Sequence, residues 1–297
     1  MNNMVNKVVI KIVWFGLLAL SLISAGFAQN SLESRELIAT VIFEQDSYQF
    51  KEGLEQSLKG HQLKLQDPSI VAAAKSAINF PNLINLSRQQ ARNLGAALGV
   101  DLIIIGRVVA TERIDVGSTQ YAECFVAIAM ITTRNGSLVG FDFIDKRASS
   151  IDESVRLARQ EMQERAISYT KLLQSSYYKQ FSIKQLLPED AGAIEPPVED
   201  IKTGSAPPII ISRKQPEYTE EARKMGFSAV VELEVVLRSD ATIGDIEVVR
   251  WAGFGLDETA KEAVRQVKFK PATINKEPVN CRALFQYKFN YRIEQLR

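Results

Sequence analysis

The sequence predicts an α+β protein: a mixed α/β domain, a proline-containing linker, then a small α/β domain with an antiparallel sheet and two helices. Three observations carry this. Short β-branched runs bounded by turn residues sit beside segments whose apolar residues recur three and four apart. Six of the ten prolines fall between Pro188 and Pro216, which marks a break between two units. The stretch from Val279 to Tyr291 alternates apolar and polar residues, with Leu284 the one apolar residue on the polar side, the pattern of a strand with one buried and one solvated face.

The chain has 297 residues, 46% of them hydrophobic and 24% charged, a globular composition that can fill more than one core. A formal net charge of +1 gives no electrostatic case for nucleic acid or an anionic membrane surface. Partners must then be recognised by shape and local contacts.

Residues 1–28 read as a secretory signal. Lys7 and Lys11 lead an apolar run from Ile12 to Leu22, and Ser24, Ala25, Gly26 and Ala28 supply a small-residue cleavage site. The rival reading is a short uncleaved membrane anchor. The run to Phe27 is shorter than the roughly 20 residues that span a bilayer comfortably. Either way the chain is expected outside the cytoplasm, in the periplasm or cell envelope. The two cysteines, Cys124 and Cys281, sit in apolar strand patterns in different domains and read as buried free thiols, with an interdomain bridge as the alternative.

The first domain is expected over residues 34–181. Leu37 to Phe43 and Leu63 to Leu65 read as strands, with helices over Tyr48 to Leu58 and Ser69 to Ala77. Ser87 caps a helix carrying Ala91, Leu94 and Leu98 on one face and ending at Gly99. Val100 to Val109 is apolar on both faces. Tyr121 to Thr133 and Leu138 to Ile144 form a hairpin around Asn135-Gly136. A long helix from about Ser150 carries the stripe Ile151, Val155, Ala158, Met162, Ala166, Tyr169 and Leu173, which reads as core.

Residues 187–212 form the linker, able at about 3.1 Å per residue to span roughly 75 Å. Residues 209–297 form the second domain. Thr219 caps a helix with Glu220 and Glu221 in its first turn and Gly226 after its end. Ala229 to Leu237 and Ile243 to Arg250 make a hairpin across Ser239 to Thr242. Gly253 and Gly255 then turn the chain into a helix whose stripe is Leu256, Ala260, Ala263, Val264 and Val267.

Three stretches of this domain, "PEYTEEARKMGFSAVVELEVVL", "IEVVRWAGFGLDETAKEAVRQVKFKPA" and "EPVNCRALFQYKF", resemble the TonB carboxy-terminal domain. The matching residues are Pro216, Tyr218, Ala222-Arg223, Gly255-Leu256-Asp257, Phe269-Lys270-Pro271-Ala272 and Pro278-Val279. Two departures touch turns. Asp240-Ala241 stands where the family has Asp-Gly, and Asn275-Lys276 replaces the glycine usual before Pro278.

The resemblance implies a binding module rather than an enzyme. It would take an extended segment of an outer-membrane transporter, or of another envelope protein, as an added strand on the free edge of the last strand. It implies partner-binding residues Arg282, Leu284, Gln286, Tyr287, Lys288, Phe289 and Asn290, with no cofactor, no catalytic residue and no metal. A proton-driven inner-membrane complex and a second copy of the chain are further candidate partners. The family's energy transducers carry a histidine in an N-terminal membrane helix, whereas the only histidine here is His61, in the first domain. Two versions therefore stay open: transmission of energy for transport, or a non-energised assembly scaffold that uses the module for docking.

In the first domain, "LSRQQARNLGAALGVDLIIIGRVV" followed by the Asn-Gly hairpin resembles the α/β domain of the curli-secretion lipoprotein and of outer-membrane activators of peptidoglycan synthases. That resemblance also implies an envelope binding domain. Other patterns read as structure. Gly253-Phe254-Gly255 fits a strand-to-helix turn better than a phosphate loop. His61 lacks a ligand-spaced partner. Asp142 and Asp145 read as solvated strand positions rather than paired catalytic carboxylates.

Overall fold

The computed structural model describes residues 36–291 except 45, 60, 62, 78–82, 115–119 and 183–191. The expected export segment and residues 187–191 of the linker lie outside the described residues. Among the described residues no helix is long and apolar enough to cross a membrane.

The N-terminal unit alternates strand and helix before it becomes a meander. β1 (Leu37–Phe43), α1 (Phe50–Leu58) and β2 (Leu63–Leu65) make a parallel crossover. α2 (Pro68–Ala77) and α3 (Arg88–Leu98) then return the chain to β3 (Leu102–Ile114), parallel to β1 on its other side. β4 (Gln120–Thr132) and β5 (Ser137–Ala148) complete a five-stranded sheet in the order β2-β1-β3-β4-β5. The β4–β5 turn needs its glycine. Gly136 has φ +67°, and a Cβ there would lie 2.0 Å from the Arg88 carbonyl oxygen. α3 carries a full capping box, Ser87 with Gln90, and ends on Gly99 at φ 64°.

One face of this sheet is covered by α4 (Ile151–Ser182), whose stripe Val155, Ala158, Met162, Ala166 and Leu173 packs on Val126, Ile128 and Ile144. Polar contacts pin it there. Asp142 of β5 accepts from Arg165 Nη1 at 2.7 Å and from the Tyr169 hydroxyl, whose proton burial holds well above the usual phenol range.

The C-terminal unit contains α5 (Glu220–Lys224), capped by Thr219, and α6 (Leu256–Arg265). Both pack with a three-stranded antiparallel sheet of β7 (Ala229–Leu237), β8 (Ile243–Arg250) and β12 (Cys281–Phe289), in the order β12-β7-β8. Two small pairs accompany it. β6 (Ile209–Ser212) lies against β9 (Lys268–Lys270), and β10 (Ala272–Ile274) against β11 (Glu277–Val279). The α+β architecture, with an antiparallel C-terminal sheet and two helices, is the one the sequence predicts.

The two units share a core. The second face of the N-terminal sheet carries Ile103, Ile105, Phe125, Ala127 and Phe143, and these belong to the same apolar cluster as Phe227, Trp251 and Phe254. Phe254 meets Phe141 edge-on with ring centroids 4.6 Å apart, and Phe227 at 4.7 Å. Phe254 can reach across because Gly253, Phe254 and Gly255 all have positive φ, at 71°, 54° and 73°. A Cβ on Gly253 would stand 2.3 Å from the Phe141 ring. Asp145 of β5 accepts from Lys224 Nζ at 2.6 Å, so the two aspartates flanking Phe143-Ile144 face opposite ways. Asp142 holds α4 and Asp145 holds α5. They are structural ion pairs, not one acidic site.

Residues 192–212 lie along the C-terminal unit. Ile194 bridges to Cys281, a turn runs from Asp200 to Ser205, Ala206 bridges to Thr273, and β6 follows. The segment pairs with edge backbone groups of β9, β10 and β12 along this path. Both cysteines are free and buried, and burial pushes the Cys124 thiol up to about 12.

Candidate functional site

β12 is an edge strand. Its inner edge pairs with β7 without a break, from Cys281 opposite Leu237 to Phe289 opposite Ala229. Its outer edge carries one strand-like contact. Ile194 N–H donates to the Asn280 carbonyl at 3.1 Å, and Arg282 N–H donates to the Ile194 carbonyl at 2.7 Å. Since N–H and C=O of one strand residue point the same way and alternate along the chain, the even-numbered residues of β12 aim their main chain outward. Past this bridge, no strand among the described residues pairs with that edge.

The side chains divide by parity. Phe285, Tyr287 and Phe289 are buried under the helices and turn their main chain to β7, so Tyr287 and Phe289 offer a partner neither side chain nor backbone. Burial pushes the Tyr287 phenol up, with Arg213 pulling the other way. On the opposite face Arg282 Nη1 pairs with Glu234 Oε1 at 2.9 Å, and Gln286 Nε2 donates to Glu232 Oε1 at 3.0 Å. Both are thus tied to β7. Leu284 stands between them, 65% exposed, and Lys288 and Asn290 are exposed beyond. Of the seven residues expected from the sequence, Leu284, Lys288 and Asn290 present free side-chain surface.

Sequence reasoning missed the near wall of this edge. A groove of about 390 Å³ runs beside Leu284, lined by Pro196, Pro207, Ile210 and Arg213. Arg213 lies over the Tyr287 ring at 4.0 Å and donates to the Gln286 carbonyl. The available signal was the linker's composition. Ile209-Ile210-Ile211 is too apolar for a solvated spacer, and all three remain exposed, with Ile210 beside Leu284. Among the described residues no three His, Cys, Asp or Glu side chains could hold a metal ion, and the His61 carbonyl accepts from Gln174 Nε2 at 3.2 Å.

The C-terminal unit is a two-helix module on a three-stranded antiparallel sheet whose last strand lies at an edge. Residues 214–293 match the family described as Gram-negative bacterial TonB protein C-terminal, and the C-terminal unit carries that domain. No curated protein matches the chain. Among solved structures, a hypothetical protein from Chlamydia trachomatis is similar at 13% identity over 46% of this chain and 98% of its own, TM-score 0.32. A Neisseria meningitidis lipoprotein is similar at 12% identity over 44% of this chain and 98% of its own, TM-score 0.31. The TonB C-terminal domain of Pseudomonas aeruginosa is similar at 21% identity over 30% of this chain and 90% of its own, TM-score 0.24.

Proposed function

We propose that this chain is a cell-envelope protein that binds by strand addition to the outer edge of β12 and performs no catalysis. Its partner in this reading is an extended segment of an outer-membrane transporter or of another envelope protein. The observation that carries the reading is the outward main chain of Leu284 and Lys288 on an edge strand. Each added backbone hydrogen bond nets about 0.5–1.5 kcal/mol, while ordering the peptide costs roughly 1–2 kcal/mol per residue. Binding of this kind is reversible and selective through alternate side chains.

Whether the module transmits energy or only docks is a second question, and one observation favours docking. The edge belongs to a unit whose core is continuous with the preceding domain through Phe254 and Phe141, so a bound segment is held in fixed relation to that domain.

The test uses Leu284→Pro. The outward N–H it removes takes no part in the β12–β7 ladder, so the fold is kept while one docking bond is lost and a ring blocks the approach. A photocrosslinking residue at Lys288 should label an envelope protein in living cells, and Leu284→Pro should abolish that label while a crosslinker at Glu258 on α6 stays silent in both. Equal labelling from Lys288 with and without the proline would overturn strand addition.

A further inference from the structure

We infer that the linker is a built-in competitor for the docking edge, halted by Pro196-Pro197 and closed at its far end by Arg213. The inference rests on the strand-addition reading. Ile194 already makes both hydrogen bonds of a parallel ladder with β12, to Asn280 and Arg282. In such a ladder the next donor is the N–H of residue 196, aimed at the Arg282 carbonyl, and the one after is that of residue 198, aimed at the carbonyl of Leu284. Pro196 has no N–H. Its neighbour Pro197 also confines residue 196 to extended backbone with no freedom to adjust. Pairing stops there, and Val198 is left 86% exposed instead of lying against the strand.

The chain then leaves the edge, turns at Asp200 to Ser205 and comes back through β6, so that Arg213 reaches the same edge from the other side. Its donation to the Gln286 carbonyl occupies the acceptor that a continuing strand would use. Its guanidinium lies over Tyr287, which holds it in place at the strand surface. An incoming strand therefore finds an open stretch around Leu284 between two contacts made by the chain itself. It must displace Arg213 to extend toward Lys288, and Ile194 to extend toward Asn280. The linker sets both where the added strand starts and how long it can be.

Two measurements on the full-length chain test this. The first is amide hydrogen exchange in the variant Pro196→Val with Pro197→Val. Restored donors let the linker run on along β12, and the outward Leu284 amide should exchange at least about tenfold more slowly than in the wild type. An unchanged Leu284 rate overturns the role of the prolines. The second is binding of a fluorescent peptide copying residues 192–200 with the same two valines. Arg213→Ala should bind it about three- to tenfold more tightly than wild type, because one occupied acceptor is released. The two-valine protein should bind it at least about tenfold more weakly. Equal binding to wild type and Arg213→Ala removes the gate but leaves strand addition standing. Binding to none of the three proteins removes both.

Discussion

The side-chain amide of Asn85 makes a reciprocal pair with the backbone of Val230: Nδ2 donates to the Val230 carbonyl at 2.8 Å, and Oδ1 accepts from its N–H at 3.0 Å. Val230 lies on β7 just beyond Glu232, where β8 ends at Arg250. Asn85 therefore stands where the next residue of β8 would have been, and it also donates to the Trp251 carbonyl. Flanking it, Ser87 bridges to Arg250, and Trp251 N–H donates to the Leu86 carbonyl at 3.3 Å. A segment of the N-terminal unit thus finishes the sheet of the C-terminal one. Asn85→Ala leaves a donor and two acceptors without partners, and it should cost about 1–3 kcal/mol in a denaturant titration. Asn85→Asp should cost at least as much, since its second oxygen would face two carbonyls. A midpoint unchanged in both variants would mean that water replaces the amide fully.

Phe254 should be the side chain on which the joint between the units depends most. It is buried against Phe141, Phe143 and Phe227. Truncation of a buried phenylalanine costs about 3–5 kcal/mol. Here the cavity opens between two units, so Phe254→Ala should expose the joint before either sheet unfolds. Limited proteolysis should then release a stable C-terminal fragment from the variant faster than from wild type. Cleavage at the wild-type rate would show that polar contacts such as Lys224–Asp145 suffice to hold the units together.

Local patterns made most elements legible in the sequence. β1, β7 and β8 follow the expected bounds residue for residue, because each is a β-branched or partly alternating run bounded by turn residues. The edge strand β12 and the alternation of its faces were legible for the same reason. What no local pattern could show is contact across long separations. The periodicity of β5 marks Phe141 and Phe143 as one face but cannot name the surface that covers them. Proline content marks residues 187–212 as extended without saying that Ile194 and Arg213 lie against β12. Asn85 gives no signal, since its role depends on where a strand 160 residues later happens to end.

Asp257 should give the protein a pH dependence opposite to that of an ordinary surface carboxylate. It is buried, and burial raises its carboxyl to about 6, although N–H bonds from Ala252 and Gly253, both 2.8 Å, pull the other way. A carboxyl raised in the folded state holds its proton more tightly there than in the unfolded chain. Its contribution is therefore full below about pH 4, declines as pH rises through about 4 to 6, and is constant above. Measured against Asp257→Asn, whose own stability should be lower and lack this component, the wild-type advantage should shrink across that window by about 3 kcal/mol at most. An advantage that grows with pH would show that the two N–H bonds outweigh burial.

The two turns that depart from the TonB family pattern place residues with a Cβ in left-handed backbone. Ala241, in the β7–β8 turn, has φ 65°, and Asn275 and Lys276, between β10 and β11, have φ 53° and 70°. Left-handed backbone costs a residue with a Cβ roughly 1–2 kcal/mol, and glycine escapes that while losing some stability through a more flexible unfolded chain. Ala241→Gly and Lys276→Gly should each stabilise the protein by up to about 1 kcal/mol. Lys276 is the sharper test. Its backbone N–H donates to the Gly204 carbonyl at 3.1 Å, and a Cβ on Gly204 would meet the Lys276 side chain at 2.5 Å. Glycine at 276 keeps the hydrogen bond and relieves the left-handed backbone, so Lys276→Gly should gain about as much as Ala241→Gly. A loss of stability at 276 with a gain at 241 would mean that the lysine stem packs against the linker strongly enough to offset its strained backbone.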